Sequence, residues 1–189
     1  IGFIVIQLKR TAHIVTSARS LPASRSLRRW LKHLFYVSMR SEYFSSKDRE
    51  QITRMVQQAE LGHNGEIQVV IETKLPSHLA YRYTTYSRAC QLFAELGVWD
   101  TALNSGVLLY LNLCERRIEL LFDRGLQQAA SQEMWDQICN QMIELIQHEQ
   151  YLKAIQIGVE QIGKILQYFY AQQPAVTNVN ELGDEPILL

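Results

Sequence analysis

A chain of 189 residues with no net charge can form one domain with an extension or two small domains, and it is neither strongly basic nor strongly acidic as a whole. The charge is nonetheless divided, because residues 1–47 carry nine Lys and Arg against one acid and the remainder carries ten against eighteen. Three cysteines without CxxC spacing argue against a disulfide framework and indicate reduced, buried thiols. The first eight residues are apolar but too short to span a bilayer, and they lack the flanks of a signal peptide, so the sequence predicts a cytoplasmic protein.

The basic part of the chain contains an amphipathic helix. Residues 1–23 show no clean periodicity and predict a loop, whereas 25–37 place four apolar side chains at helical spacing: Leu27, Trp30, Leu31 and Leu34. Four basic residues share another face of this helix: Arg25, Arg28, Arg29 and Lys32. Two interpretations are open. In the favoured one, the apolar stripe packs on the domain and the basic residues face solvent. In the other, the basic residues contact a polyanion or an anionic membrane, which makes the protein peripheral at the inner membrane.

Periodicity and turn signals define the rest of the chain. We predict helices over about 46–61, 81–96, 131–147 and 151–171, and strands over 66–72, 107–113 and 118–122. Gly158 and Gly163 interrupt the last helix, which indicates close approach to a neighbouring backbone. The tail from Pro174 to Leu189 is predicted to be irregular. The domain boundaries that follow are a basic extension over 1–44, an α/β domain over 45–173 and a C-terminal tail over 174–189.

The order of these elements predicts a three-layer α/β/α sandwich with a mixed sheet, helices on both faces and a basic N-terminal helical extension. The strands over 66–72 and 107–113 are joined through a helix and are expected to be parallel, while 118–122 returns antiparallel through a short hairpin turn. Ligands of such sheets bind beyond the carboxyl ends of the parallel strands, here near Thr73 and Cys114. The polar loop over 98–106 lies at the opposite end of the sheet, so the sequence indicates two alternative places for a site.

A candidate metal site lies at the mouth of the hairpin. Asp100, Asn104 and Asp123 supply the carboxylate and amide oxygens that a hard cation such as Ca²⁺ prefers. The structural alternative is that Asp100 and Asn104 form Asx turns and that Asp123 holds the turn before the next glycine. Three further residues are predicted to line the site: Glu66, Arg88 and Arg124. Of these, Glu66 is expected to pair with one of the two arginines.

No motif of an enzyme active site is present in the sequence. There is no P-loop, no G-x-S-x-G elbow, no G-x-G-x-x-G fingerprint and no His or Cys spacing of a zinc site, so we expect no organic cofactor. Tyr81, Tyr83 and Tyr86 alternate with arginines in the manner of a nucleotide-stacking surface. The domain around them is acidic and repels phosphates, so a nucleic-acid partner is not expected.

Six sequence blocks, in order and at suitable spacing, resemble the TPM domain family, which includes the plant thylakoid acid phosphatase-like protein and many uncharacterised bacterial proteins. They are G-E-I-Q-V-V-I-E, R-A-C-Q-L-F-A-E-L-G-V-W-D-T, N-S-G-V-L-L-Y-L, F-D-R-G-L, M-W-D-Q-I-C-N-Q-M and N-E-L-G-D-E-P. The resemblance covers roughly residues 27–189. It is strongest to a proteobacterial branch, cytoplasmic or membrane-associated, that ends in N-E-L, here Asn180-Glu181-Leu182. It implies an α/β/α sandwich, calcium binding and, from the plant relative, a weak acid phosphatase activity.

The chain departs from the family pattern in the loop before the second strand. Asn104-Ser105-Gly106 stands where the branch has Asn-Asn-Gly or Arg-Asn-Gly, and Leu103 replaces a polar residue or His. We therefore expect a module that binds a divalent cation or a partner protein without strong catalysis, and that is membrane-associated if its basic helix contacts lipid. The alternative is a weak, metal-assisted acid phosphatase that acts on phosphomonoesters.

Overall fold

A computed structural model describes residues 26–36, 43–172 and 180–189, and the backbone of residues 3–6. The strands are β1 (Phe3–Ile6), β2 (Glu66–Glu72), β3 (Gly106–Asn112), β4 (Arg117–Asp123) and β5 (Ile187–Leu188). The helices are α1 (Leu27–Leu34), α2 (Ser46–Glu60), α3 (Ser77–Ala80), α4 (Thr85–Glu95), α5 (Gln132–Gln147) and α6 (Tyr151–Tyr170). Together they form an α/β/α sandwich around one mixed sheet, which confirms the predicted fold class.

The sheet has the strand order β1-β4-β3-β2-β5. β2 is parallel to β3 with Glu66 opposite Gly106, and β3 is antiparallel to β4 with Val107 opposite Phe122, as the sequence predicts. Two strands were not predicted. β1 is antiparallel to β4 within the expected N-terminal loop, and β5 is parallel to β2 within the expected irregular tail. Strands of four and two residues are too short to show a period, so pairing with a preformed sheet edge decides their structure.

The two faces of the sheet differ in polarity. On one face an apolar core joins the sheet to α2, α5 and α6, with strand residues such as Ile67, Leu109 and Leu120 fully buried. On this side Gly163 allows the close approach to a neighbouring backbone that the sequence indicates, since a Cβ there would lie 3.0 Å from the Ala59 carbonyl oxygen. A Cβ on Gly158 would instead lie 2.5 Å from a side-chain atom, Met142 Sδ. The other face is covered by α4, and there apolar and charged side chains share the interior.

A buried polar network lies between the sheet and α4. Arg88 of α4 donates from Nε to Glu72 Oε1 at 3.0 Å, and the Tyr110 hydroxyl donates to Glu72 Oε2 at 2.6 Å. Asn112 Nδ2 in turn donates to the Tyr110 hydroxyl at 3.0 Å. All four of these residues are buried. Because a buried charge is costly without partners, the network holds the first turn of α4 against the carboxyl end of β2.

Glu119 of β4 is a second buried carboxyl group on this face. Thr85 Oγ1 donates to its Oε1, while its Oε2 has no hydrogen-bond partner in the described part of the chain. Burial raises the pKa of Glu119 to about 7, from an ordinary value of 4.5. The raised pKa means that the folded state holds the proton more tightly than the unfolded state does. The stabilisation that the protonated Glu119 contributes is therefore complete below pH 4.5 and is lost as the pH rises through 7.

Gln stays neutral at every pH, whereas Glu119 must ionise as the pH rises. The free energy of unfolding of Glu119→Gln is therefore expected to increase relative to that of wild type by about 2 kcal/mol when the pH is raised from 5 to 8. Urea unfolding at the two pH values measures this difference. Burial also raises the pKa of Glu60 to about 8, but that contribution is common to both proteins and cancels in the comparison. Glu144→Gln, at an exposed position, is the matched control and should track wild type. A difference that does not change with pH would show that Glu119 is not the titrating group.

The helix α1 docks on the domain through its polar side, contrary to the favoured prediction. Arg29 Nε donates to the Ala80 carbonyl at 2.9 Å, and His33 is completely buried. Three of the four residues predicted to face inward are exposed, namely Leu27, Leu31 and Leu34, whereas Trp30 is half-buried. Arg25 lies outside the described residues. None of the helices in the part of the chain that the structure describes is long and apolar enough to cross a bilayer.

Candidate functional site

The carboxyl ends of the parallel strands are occupied by the chain itself. His33 Nδ1 accepts a hydrogen bond from the Leu75 backbone N–H at 3.0 Å, and His33 Nε2 donates to Glu115 Oε1 at 2.9 Å. This hydrogen bond is the main reason why the pKa of Glu115 lies below its ordinary value, with Lys32 nearby adding to the effect. The Thr73 backbone N–H donates to the Leu189 carbonyl. α1 and the C-terminal tail thus lie at the end of the sheet where the topological rule expects a ligand.

The opposite end of the sheet holds a cavity of about 340 Å³ at the mouth of the hairpin. Its lining consists of one stretch of the loop before β3 and the residues at the end of β4: Trp99, Asp100, Thr101, Ala102, Asn104, Asp123 and Arg124. Four of the six residues predicted for the site are therefore brought together here. The sequence indicates two alternative places for a site, and the cavity lies at the polar loop over 98–106 and not at the carboxyl ends of the parallel strands.

The loop and the β4 turn pack together through backbone groups. Asn104 has a φ of +52°, a left-handed conformation that Asn tolerates better than most residues. Its carbonyl accepts a hydrogen bond from the Gly125 N–H at 3.1 Å. A Cβ at Gly125 would lie 2.5 Å from the carbonyl oxygens of both Leu103 and Asn104, so only glycine permits this contact. The arrangement fixes the distance between the loop and Asp123.

Asp123 is the most buried acid of the cavity, with 3% of its surface exposed. Its Oδ1 accepts a hydrogen bond from the Arg124 backbone N–H at 2.7 Å, which makes it the cap of the short 3₁₀ turn that follows. Its Oδ2 is buried and has no hydrogen-bond partner among the described residues. Burial raises the pKa of Asp123, while the Arg124 N–H and charge oppose the rise. A buried carboxylate oxygen without a partner is costly, so the site favours a cation or donor beside it.

Arg124 is exposed at the cavity lining and donates from Nε to Asn104 Oδ1 at 3.2 Å. The guanidinium uses one acceptor position of the amide and adds a positive charge beside Asp123. Asp100, in contrast, is exposed at the rim. The cavity therefore combines two carboxylates, an amide oxygen, the Thr101 hydroxyl and one cation.

Glu66 and Arg88 do not lie in this cavity. Glu66 is buried, and its Oε2 accepts a hydrogen bond from the Leu182 backbone N–H at 3.3 Å instead of pairing with Arg88 or Arg124. Burial raises the pKa of Glu66. Arg88 lies at the other end of β2 because α4 starts beside the carboxyl end of that strand, and it pairs with Glu72. The prediction that Arg88 lines the hairpin mouth is wrong, since its position depends on the direction of the crossover helix.

The structure adds Glu181 to the surroundings of the site. Both of its carboxylate oxygens lie within hydrogen-bond distance of the Ala102 N–H, at 3.1 and 3.0 Å. Thr101 Oγ1 accepts from the buried Ser105 N–H at 2.8 Å on the same loop. The tail motif thus anchors the loop that carries Asp100 and Asn104. The N-E-L block was visible in the sequence, but nothing in its composition indicates where it docks.

The cavity is lined by oxygen donors of the kind that a hard divalent cation prefers. Carboxylate, amide, hydroxyl and backbone carbonyl oxygens are the ligands of calcium, whereas imidazole and thiolate, which select transition metals, do not line the cavity. Among the described residues, no three His, Cys, Asp or Glu side chains are placed to hold one ion. A cation here would use Asp123 and Asp100 together with uncharged oxygens and water. Asp123 Oδ2, which has no hydrogen-bond partner among the described residues, would be the first candidate ligand of such an ion.

Comparisons with known proteins place the chain in a family. No curated protein matches it. Among solved structures, the NMR structure of the BA42 protein from the psychrophilic bacterium Bizionia argentinensis is 22% identical, with a TM-score of 0.68, and the match covers 80% of this chain and 99% of that chain. At this identity the similarity shows the fold alone. The model of the TPM domain matches residues 37–165, which is more than half of the chain. The chain therefore belongs to the TPM domain family.

Proposed function

We propose that this chain is a non-catalytic TPM module that binds a divalent cation of the calcium type at the mouth of its hairpin. The observation that carries the proposal is Asp123 Oδ2, which is buried, lacks a hydrogen-bond partner among the described residues and belongs to a side chain that lines the cavity. Asp100 and Asn104 supply further oxygens to the lining of the same cavity.

The charge balance of the cavity predicts weak binding. Two carboxylates and the Arg124 guanidinium leave about one net negative charge to meet a doubly charged ion, and calcium sites gain affinity with the number of charged ligands. We expect a dissociation constant in the range of about 10⁻⁴ to 10⁻³ M, as in calcium modules of low charge count. Arg124 is expected to oppose binding, both by its charge and because it occupies Asn104 Oδ1.

Calcium titration by calorimetry on wild type and Asp123→Asn tests the proposal. Asp123→Asn removes the charge and keeps the shape, and it is expected to weaken binding at least about tenfold, since a lost charged ligand is worth more than about 1.4 kcal/mol. Arg124→Gln is expected to strengthen binding. Asp136→Asn on α5 makes the same chemical change away from the cavity and should leave the titration unchanged. Saturable binding that survives Asp123→Asn would place the ion elsewhere, and no heat at millimolar calcium would refute the proposal.

A second candidate function is weak phosphomonoester hydrolysis assisted by the cation. Arg124 favours it, because a guanidinium in the same cavity as the acids supplies the positive charge that a phosphate needs. Hydrolysis of p-nitrophenyl phosphate by wild type, Asp123→Asn and Arg124→Gln separates the two candidates. The phosphatase predicts loss of turnover in both variants, whereas the binding module predicts that Arg124→Gln improves calcium affinity with no turnover in any protein. Turnover that is equal in all three proteins would identify a contaminant.

Membrane association is a separate matter from the cation. The helix α1 lies at the carboxyl ends of β2 and β3, at the other end of the sheet from the cavity. We therefore propose peripheral association on the properties of α1 alone. Binding of a partner protein stays a prediction of the sequence.

A further inference from the structure

The helix α1 concentrates the exposed apolar surface of the described chain. Ten large apolar side chains are exposed in the described residues, and four of them fall within nine consecutive positions: Leu27, Leu31, Leu34 and Phe35. Leu27 and Phe35 are 61% and 71% exposed. Tyr81 is also exposed and adjoins the start of the helix, where the Ser26 N–H donates to its carbonyl at 3.1 Å. We call these five residues the apolar patch. Single exposed apolar residues are common, but a contiguous group on one helix marks an interaction site.

The orientation of α1 is set by polar contacts on its opposite side. Arg29 and His33, one turn apart, face the domain: Arg29 binds the Ala80 carbonyl, and His33 lies between the Leu75 N–H and Glu115. Positions 27, 31 and 34 lie across the helix from these two residues at about 100° per residue. The domain therefore turns the apolar stripe outward, which is the reverse of an ordinary surface helix.

Positive charge flanks the apolar patch. Arg28 is exposed, Lys32 keeps 48% of its side chain exposed while lying 3.6 Å from Glu115, and Arg82 beside Tyr81 is exposed. Arg28 and Lys32 belong to a basic part of the chain, since residues 1–47 hold nine Lys and Arg against one acid, whereas Arg82 lies in the remainder. An exposed apolar stripe bordered by Lys and Arg is the pattern of a helix that lies in the plane of a membrane interface.

We infer that α1 docks this protein on the surface of a membrane that contains anionic phospholipids. The apolar patch enters the boundary between headgroups and acyl chains, while Arg28 and Lys32 contact the lipid phosphates. A second copy of the chain is a poorer occupant, because a two-fold interface would bring the same positive residues of both copies together. A nucleic acid would bind the charges but would leave the apolar stripe without a partner. The inference is independent of the cation at the hairpin mouth.

Vesicle flotation with the full chain tests the inference. The probes are vesicles of phosphatidylcholine alone and vesicles of equal parts phosphatidylcholine and phosphatidylglycerol. Wild type is expected to float with the second and not with the first. Arg28→Gln with Lys32→Gln is expected to lower the partition coefficient about tenfold or more, since each basic residue near an anionic surface contributes severalfold. Leu27→Ser with Phe35→Ser is expected to lower it by a similar factor.

Matched controls and the oligomeric state make the outcome decisive. Lys153→Gln with Lys164→Gln removes two exposed charges from α6, and Met134→Ser with Tyr168→Ser removes two exposed apolar groups from α5 and α6. Both controls should float like wild type, and the helical circular dichroism of all variants should match. Failure of wild type to float with anionic vesicles, or flotation that survives both α1 pairs, would overturn the inference. So would a dimer of wild type, seen by light scattering, that Leu27→Ser with Phe35→Ser converts to a monomer.

Discussion

Replacing Arg88 by methionine is expected to destabilise the protein by about 3–5 kcal/mol, the cost of leaving the charge of Glu72 buried without its partner. The guanidinium and the carboxylate are 3.0 Å apart, and Glu72 is 1% exposed. The Tyr110 hydroxyl still donates to that carboxylate in the variant, but it supplies no charge. Methionine fills the volume of the arginine stem, so the loss is electrostatic and does not come from a cavity.

Urea unfolding of four proteins measures this cost: wild type, Arg88→Met, Glu72→Gln and the double variant. We expect the double variant to be less destabilised than the sum of the single variants, because the amide introduced by Glu72→Gln keeps an acceptor for the tyrosine hydroxyl and no longer needs a cation. Arg54→Met is the control, since its pair with Glu50 is exposed and contributes only a few tenths of a kcal/mol. Additive single effects, or equal losses for Arg88→Met and Arg54→Met, would show that the Glu72–Arg88 pair is not coupled.

The sequence predicts β2, β3 and β4 because the residues that decide their structure lie within these segments and the turn between them. The β-branched run of β2 and the charged turn between β3 and β4 contain the periodicity and the turn residues that decide their structure. β5 has no such signal. Its two residues become a strand because the edge of β2 offers unpaired backbone groups, which only the assembled sheet presents.

The sequence predicts that three of the candidate residues lie close together, again because the signals are local. Asp100, Asn104 and Asp123 flank the strand ends that the pattern places together, so the topology brings them to one cavity. Arg88 and Glu181 could not be placed this way. The partner of Arg88 depends on which turn of α4 meets which end of β2, and Glu181 reaches Ala102 from far along the chain.

The orientation of α1 is the clearest case of tertiary contacts overriding periodicity. A stripe at Leu27, Leu31 and Leu34 is normally directed to the core. Here His33 satisfies a buried backbone N–H and Glu115 at once, and these contacts turn the stripe to solvent. Nothing in the spacing of a single histidine shows that it will be buried, so this reversal is visible only in the structure.

Gly106→Ala is expected to destabilise the protein by about 3 kcal/mol and to abolish calcium binding, although it removes no ligand of the cavity. A Cβ at this position would lie 1.9 Å from the Val98 carbonyl oxygen and 2.9 Å from Val98 Cγ1. Gly106 is paired with Glu66 across the sheet, and the Glu66 N–H donates to the Ser105 carbonyl, so the strand cannot move away. The loop must shift instead, and with it Asp100 and Asn104.

Urea unfolding and calcium titration of Gly106→Ala give two independent readouts. Gly183→Ala is the control, because a Cβ there meets no atom within 4 Å. If Gly106→Ala loses stability but binds calcium like wild type, the loop is not part of the ion site, and Asp123 holds the ion without it. If Gly106→Ala keeps both its stability and its calcium binding, the chain around Val98 moves away from the added Cβ without cost. The expected result is that Gly106→Ala loses both stability and calcium binding, whereas Asp123→Asn loses only calcium binding. That result would show that the backbone of β3 positions the loop and that the carboxylate of β4 supplies the charge.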